Sequence, residues 1–451
     1  MKRHPGLQKK RMGRQALVMA LFFCVSGGPY GLEPLVQFSG PGLALVMILL
    51  VPVVWSLPVI LTVSELNARM PAEGGFYIWV KECMGPFNAF LCAWWSWLYS
   101  MVDATIYPVL LVGYAEAMLR LHFGIEFGSP LIRWMIAVCV VAVFTFLNML
   151  GARTMGRVST LFFALLTIPF VALIFMSLSK VSGTTIFKPF VASGETIVSA
   201  VGAGMAVALW NYLGWDTLST IAEEVEEPRK SYPQAMLLAL PLITLFYFLS
   251  VAVGLIGTPD PSQWTEDSWP AIAASMGGAW LGTAVGLAAL ISQAGLFMAT
   301  LLGISRLPFV LAEDGYLPKA FVALHPKWGT PWRAILLCGL IYAALSSEGF
   351  IELVTINVLL YSAGLVHEFI ALIWFRVWEK RGDPRALPAQ GFRIPGGWPV
   401  LFLVALLPTL VVGFAVYSSY VEEGAKPLWI AAIALASGPL WYFGRFRAIR
   451  V

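Results

Sequence analysis

The sequence predicts an all-α integral membrane protein of about twelve transmembrane helices. Three observations lead there. The 451 residues are 59% hydrophobic and only 12% charged, with a mean hydropathy of +0.79, far from the composition of soluble domains. Uncharged runs near the roughly 20 residues that a helix needs to cross about 30 Å of hydrocarbon recur along the whole chain. With both termini placed in the cytoplasm, 24 of the 29 Lys and Arg fall on the inner side, as the positive-inside rule requires.

The expected spans are Ala16 to Gln37, Leu43 to Ser64, Phe87 to Leu119, Ile132 to Leu150, Val158 to Leu178 and Ile197 to Ala222 in the first half. Ala235 to Gly257, Ala279 to Val310, Pro331 to Leu345, Phe350 to Phe375, Pro399 to Tyr420 and Pro427 to Phe443 follow. Each is bounded by charge or by Gly and Pro, and the ninth is the shortest. Residues 1–15 form a basic cytoplasmic arm, 16–445 a single membrane domain and 446–451 a cytoplasmic tail. The basic start runs into its apolar segment without a small-residue cleavage site, so this first segment is expected to be retained. The five cysteines, Cys24, Cys83, Cys92, Cys139 and Cys338, have no metal-ligand spacing and read as buried small hydrophobes.

Two spans are interrupted. Ser26-Gly27-Gly28-Pro29-Tyr30-Gly31 lies at the centre of span 1, where Pro removes a donor and Gly disfavours helix. Asn211-Tyr212-Leu213-Gly214-Trp215-Asp216 holds the matching place in span 6. Breaks in corresponding positions of two halves point to two inverted five-helix repeats, residues 16–180 and 195–378, with two extra helices over 398–445 and a substrate site at the breaks. A packing kink in each helix is the plainer alternative.

Four acids sit inside the spans, away from their ends: Glu33, Asp103, Asp216 and Glu368. No Lys or Arg stands at comparable depth, so the missing counter-charge is expected to be the cargo, a cation. Tyr99, Asp103 and Tyr107 recur at i, i+4 and i+8 and share one helix face. A carboxylate between aromatic rings suits an ammonium group. Asn357, Tyr361, Gly364 and Glu368 form a second polar stripe, and Trp210, Tyr212 and Trp215 bracket the break that carries Asp216. The expected substrate-binding set is Gly27, Gly28, Tyr30, Glu33, Tyr99, Asp103, Tyr107, Trp210, Asn211, Tyr212, Trp215, Asp216 and Tyr361. Capping, interhelical hydrogen bonding or interfacial placement are the structural alternatives for the acids. Trp94, Trp95 and Trp97 read as an aromatic belt or core packing. The run Glu223, Glu224, Glu226, Glu227 reads as solvated or paired with the basic arm, a gate ion pair being the sharper alternative.

No catalytic or metal constellation is expected, since His4, His122, His325 and His367 are scattered. A channel would not need two breaks in register. For the coupling ion, Ser292, Gln293 and Thr300 offer no tight pair of hydroxyls for Na⁺. Protons carried by Glu33, Asp103, Asp216 or Glu368 are therefore expected. Neither a cofactor nor a nucleic-acid partner is expected; the partners are a small amine or amino acid and the lipid bilayer.

At these residues the chain resembles the amino acid-polyamine-organocation superfamily, and within it the polyamine uptake transporters. The likeness rests on Ser26-Gly27-Gly28-Pro29-Tyr30-Gly31-Leu32-Glu33, on Trp94-Trp95-Ser96-Trp97 through Asp103 to Tyr107, and on Asn211 to Asp216 with Glu224-Val225-Glu226-Glu227-Pro228. Ala312 to Pro318, Gly329-Thr330-Pro331 and Leu365 to Ile370 add to it. The resemblance implies inverted repeats, alternating access and proton-coupled uptake of small cationic amines such as putrescine or spermidine. Amino acid permeases of the same fold, for neutral or basic amino acids, are the alternative. Amino acid carriers of the superfamily tend to hold the substrate carboxylate on backbone N–H groups at the first break. Here Pro29 removes one donor and Glu33 follows closely, which favours an amine.

Overall fold

The computed structural model describes residues 11–177, 186–257, 260–265, 267–346 and 350–449. Expected features at residues 1–10 of the arm, at Leu178 and Lys180, and at the last two residues of the tail lie outside these. The described residues are almost wholly helical, with two isolated β-bridges and no strand. In chain order the helices are α1 (Arg14–Val25), α2 (Glu33–Ser39), α3 (Pro41–Arg69), α4 (Phe76–Phe123), α5 (Pro130–Asn148), α6 (Ala152–Ser177), α7 (Ile197–Trp210) and α8 (Pro228–Gly257). Then come α9 (Trp269–Gly277), α10 (Ala279–Ile304), α11 (Arg306–Glu313), α12 (Trp332–Leu345), α13 (Phe350–Arg381), α14 (Gly397–Glu423) and α15 (Lys426–Ile449). Nine helical stretches among the described residues are long and apolar enough to cross a membrane. Three shorter apolar helices, α1, α7 and α12, stand where spans 1, 6 and 9 are expected.

Burial sorts centre from periphery. The apolar stretch of α10 and α11 is 83% buried, against 17% for α5 and for α15. The outer faces of α5, α6, α14 and α15 expose Phe146, Ile168, Phe175, Leu406 and Ile433, as lipid-facing surfaces must. Cys139 is also exposed, on α5, which corrects the expectation of a buried thiol there. The polar or strained elements, α1, α2 and α7 with their breaks, lie inside this apolar jacket.

Several boundaries differ from the expected ones for local reasons. Helix α4 starts eleven residues before the expected Phe87, with a kink at Gly85 (φ 82°) next to Pro86; Lys81 and Glu82 ended the apolar run that sequence reading follows. Span 6 does not resume as α-helix after its break. It continues as 3₁₀ turns over Thr217–Thr220 and Ala222–Glu224, tight enough for Thr220 to donate to the Gly303 carbonyl at 2.8 Å. A side chain on Gly303 would meet Thr217, so this turn is seated directly on α10. Within α3, a π-helical turn at Pro52–Ser56 turns Trp55 fully inward.

The break in span 1 covers Ser26 to Leu32, with Gly27, Gly28 and Gly31 all at positive φ, which L side chains rarely adopt. The two breaks are fastened to each other. Gly214 (φ 86°) lies so close to α1 that a Cβ would stand 2.6 Å from the Cys24 carbonyl, and Asn211 donates to the Gly31 carbonyl at 3.2 Å. Gly214→Ala is therefore expected to destabilise the protein by about 1–3 kcal/mol, read as a lowered Tm of detergent-purified protein. Gly413→Ala, in open space on α14, is expected to leave Tm unchanged or raise it.

Candidate functional site

Helix α4 carries Tyr99, Asp103 and Tyr107 on one uninterrupted stretch. Asp103 is buried, and three neutral donors hold it: the Tyr107 hydroxyl at 2.6 Å and the Trp210 indole at 3.1 Å, and the Asn357 amide at 2.8 Å. Tyr99, one turn earlier on the same helix face, lies beside the same carboxylate. Tyr99 meets Tyr361 edge to face at 5.0 Å, and Tyr361 donates to Asp216 at 2.6 Å. Asp216 in turn faces Glu368 side chain to side chain. Neither Glu368 oxygen meets an N–H or O–H donor among the described residues. The result is a buried row, Asp103, Tyr99, Tyr361, Asp216 and Glu368, built from α4, α13 and the break after α7.

Other polar atoms around this row also lack partners. The Asn357 Oδ1, the Trp55 indole and the Trp215 indole are buried without hydrogen bonds among the described residues, and Trp55 lies 6.2 Å from the Tyr361 ring. Buried polar groups are normally satisfied, and unpartnered ones also occur away from this row, at Asn67, Trp97 and Asn148 among others. Ser292 and Gln293 on α10 are likewise unpartnered among the described residues, with Ser292 against Gly27, while Thr300 lies beside the Tyr107 hydroxyl.

Glu33 belongs to a different cluster. Its carboxylate accepts from the Gly31 N–H at 2.7 Å and from Tyr114 at 2.8 Å, and Tyr30 packs on Tyr114 at 5.2 Å while donating to the Val285 carbonyl. The Trp269 indole of α9 donates to the Pro29 carbonyl at 3.0 Å, closing this end over the break. Tyr212 points away from the acids and donates to the Ile48 carbonyl. Asn211 ties the two breaks together. Trp94 and Trp95 donate to Ser437 and to the Leu435 carbonyl, which fixes α4 against α15.

The end of the bundle that carries the amino terminus is sealed by charge. Glu224 does not lie solvated: it is buried and accepts from Arg306 at 2.6 Å, with Glu73 3.6 Å from the same guanidinium. Met12 bridges this end through backbone bonds to Glu224 and Glu226, and Gly74 donates to the Thr220 carbonyl. Sequence reading missed Arg306, Tyr114 and Trp55. Arg306 and the acidic run were each legible as charge at a helix end, but their pairing crosses 82 residues.

A sealed row of buried acids beneath two helices broken in corresponding places is the architecture of a secondary transporter. The comparisons with known proteins agree. An amino acid permease family model matches residues 18–438, and the chain belongs to that family. Among its relatives, polyamine transporter RMV1 of Arabidopsis thaliana is 33% identical over 439 residues, covering 96% of this chain and 85% of that one. Polyamine transporter PUT1 of Oryza sativa subsp. japonica is 32% identical over 432 residues, covering 95% and 77%. In fold, the chain is similar to MhsT in complex with L-phenylalanine, with a TM-score of 0.66 at 15% identity over 90% of this chain and 100% of that one. The protein is a multi-pass membrane transporter and not an enzyme.

Removing one partner of a buried ion pair leaves an uncompensated charge, so Arg306→Gln is expected to cost about 3–5 kcal/mol, read as a lowered Tm. Burial, and after it the Glu224 carboxylate, push the Glu73 carboxyl well above its ordinary range, with Arg306 pulling the other way. An acid raised in the folded chain contributes stability at low pH that is lost as pH climbs from the ordinary glutamate range through the raised value. Glu73→Gln is therefore expected to flatten the fall of Tm across that interval, checked by melting curves of both proteins at a series of pH values.

Proposed function

We propose that this transporter takes up small cationic amines, such as putrescine or spermidine, as a proton-coupled symporter of the cytoplasmic membrane working by alternating access. The observation that carries this reading is the state of the acids. Asp103 is held by neutral donors alone, Asp216 by a tyrosine, and Glu368 by no donor among the described residues. The buried arginines at the amino-terminal end already face carboxylates there, Arg306 on Glu224 and Glu73, Arg69 on Glu65 and Glu379, and Arg376 on Glu65. A diamine supplies the absent positive charge at two points and meets Tyr99, Tyr361 and Trp55 as aromatic walls.

The first break supports an amine over a carboxylate. The Gly28 N–H is taken by the Ser26 hydroxyl and the Gly31 N–H by Glu33, so both donors are already committed. Two of the relatives are named polyamine transporters, in line with this reading. The amino acid permease alternative draws on the family description and on the phenylalanine in MhsT.

We assign the coupling proton to Asp216 and Glu368, because two facing carboxyl groups without a cation coexist best with one proton between them. Arrival of an ammonium group at Asp216 then replaces that proton as counter-charge. The amino-terminal end is assigned to the cytoplasm on the distribution of Lys and Arg.

The test is uptake of radiolabelled putrescine and spermidine into proteoliposomes under an inward proton gradient, with unlabelled amino acids as competitors. Saturable, gradient-driven uptake that neutral amino acids leave unaffected is expected. Transport of leucine or arginine in its place would move the chain to amino acid carriage. Asp103→Asn and Asp216→Asn are each expected to weaken diamine uptake on the order of 100-fold; normal affinity in both variants would sink the assignment.

A further inference from the structure

At the amino-terminal end of the bundle, α13 and α14 enclose a pocket of about 380 Å³ that is separate from the acid row. It is lined by Arg376, Glu379, Lys380, Arg393, Trp398 and Leu401. Its one carboxylate is already engaged: Glu379 accepts from Arg69 at 2.8 Å and lies 3.3 Å from Arg393. Arg376 uses one terminal nitrogen on Glu65 and on the Ile394 carbonyl. The cluster therefore sets Arg69, Arg376, Lys380 and Arg393 against only Glu65 and Glu379.

Two further features say what the surplus charge is for. Arg376 is only 7% exposed, and its Nε, itself buried, has no acceptor among the described residues, so this guanidinium beside the pocket is only partly satisfied. Helix α14 also begins here, at Gly397, with no side chain capping its first N–H groups, and such a terminus favours an anion with acceptor oxygens. A partly satisfied guanidinium, an exposed ammonium and a helix start together favour a phosphate group.

The surroundings distinguish a lipid from a free ion. Lys380 lies 5.8 Å from the Trp398 ring, an amphipathic rim of the kind found at bilayer interfaces. From that rim Phe402, Leu406 and Leu410 recur at i, i+4 and i+8 on α14 and are 58%, 51% and 59% exposed. They form an apolar track leading from the pocket along the lipid-facing side, which a free phosphate does not need and an acyl chain does.

We infer that this pocket binds the phosphate headgroup of an anionic phospholipid, held by Arg376, Lys380 and Arg393 with its acyl chains along the α14 track. The site joins α13, which carries Tyr361 and Glu368, to α14. It stands apart from the amine-carrier reading, since it involves none of the acids assigned to cargo or proton.

The test uses the purified full chain in detergent. Native mass spectrometry and thermal melting are recorded with phosphatidylglycerol, with phosphatidylcholine of the same chains, with glycerol 3-phosphate and with inorganic phosphate. Phosphatidylglycerol alone is expected to be retained and to raise Tm. Near a charged surface each basic group changes lipid affinity by about 5-fold. Lys380→Gln is accordingly expected to weaken phosphatidylglycerol binding about 5-fold and Lys380→Gln/Arg393→Gln about 25-fold, while Lys327→Gln, in the loop before α12 and outside the pocket lining, changes nothing. Should the double variant not fold, Lys380→Gln, exposed and outside the Glu65 and Glu379 pairs, still decides. Equal shifts from phosphatidylcholine, equal shifts from the free phosphates, or undiminished phosphatidylglycerol binding in Lys380→Gln would each overturn the proposal.

Discussion

Everything in this structure depends on two unwound segments completing each other inside a membrane. Backbone N–H and C=O groups released from a helix in hydrocarbon cost several kcal/mol each unless something pairs with them. Here the partners are local and mutual. Asn211 reaches from the second break to the Gly31 carbonyl of the first, Gly214 lets its backbone touch Cys24, and Tyr247 takes up the Asn211 carbonyl. Glu33 and Ser26 pair the N–H groups of Gly31 and Gly28. Neither break is stable alone, so the sequence must specify both together.

That arrangement governs the electrostatics around it. The tyrosines Tyr107, Tyr114 and Tyr361 each donate to one acid, Asp103, Glu33 and Asp216 respectively. Hydroxyl donors lower the cost of a buried carboxylate without neutralising it. At the amino-terminal end Arg306, Arg69 and Arg376 are engaged by Glu224, Glu65 and Glu379. Ion pairs at that end and neutral donation at the centre divide the molecule into a part held by opposite charges and a part whose buried acids are met by neutral donors.

The breaks were readable in advance because Gly-Gly-Pro and the Asn211 to Asp216 run violate helix chemistry at mid-span, and such violations are local. The Tyr99, Asp103, Tyr107 face was readable because helix spacing alone places those side chains together. What stayed hidden is pairwise and distant. Nothing in the order of residues says that Glu33 turns to Tyr114 while Asp103 turns to Asn357, or that Tyr212 leaves the acids for Ile48. The inward turn of Trp55 needed the π-helical register of Pro52–Ser56, a one-residue slip that no hydrophobic run records. The 3₁₀ course after Asp216 was hidden for a related reason, since it is set by the close seat on Gly303.

Helix α4 has a mechanical meaning beyond the side chains it presents. Past its kink at Gly85 it runs unbroken to Phe123, so Trp94 and Trp95, gripped by α15, and Asp103, about two turns further on, ride on one stiff rod. The position of the last helix and that of Asp103 are thereby tied through one rigid element. The peripheral helix is thus a brace for the carboxylate that Trp210 and Asn357 also hold.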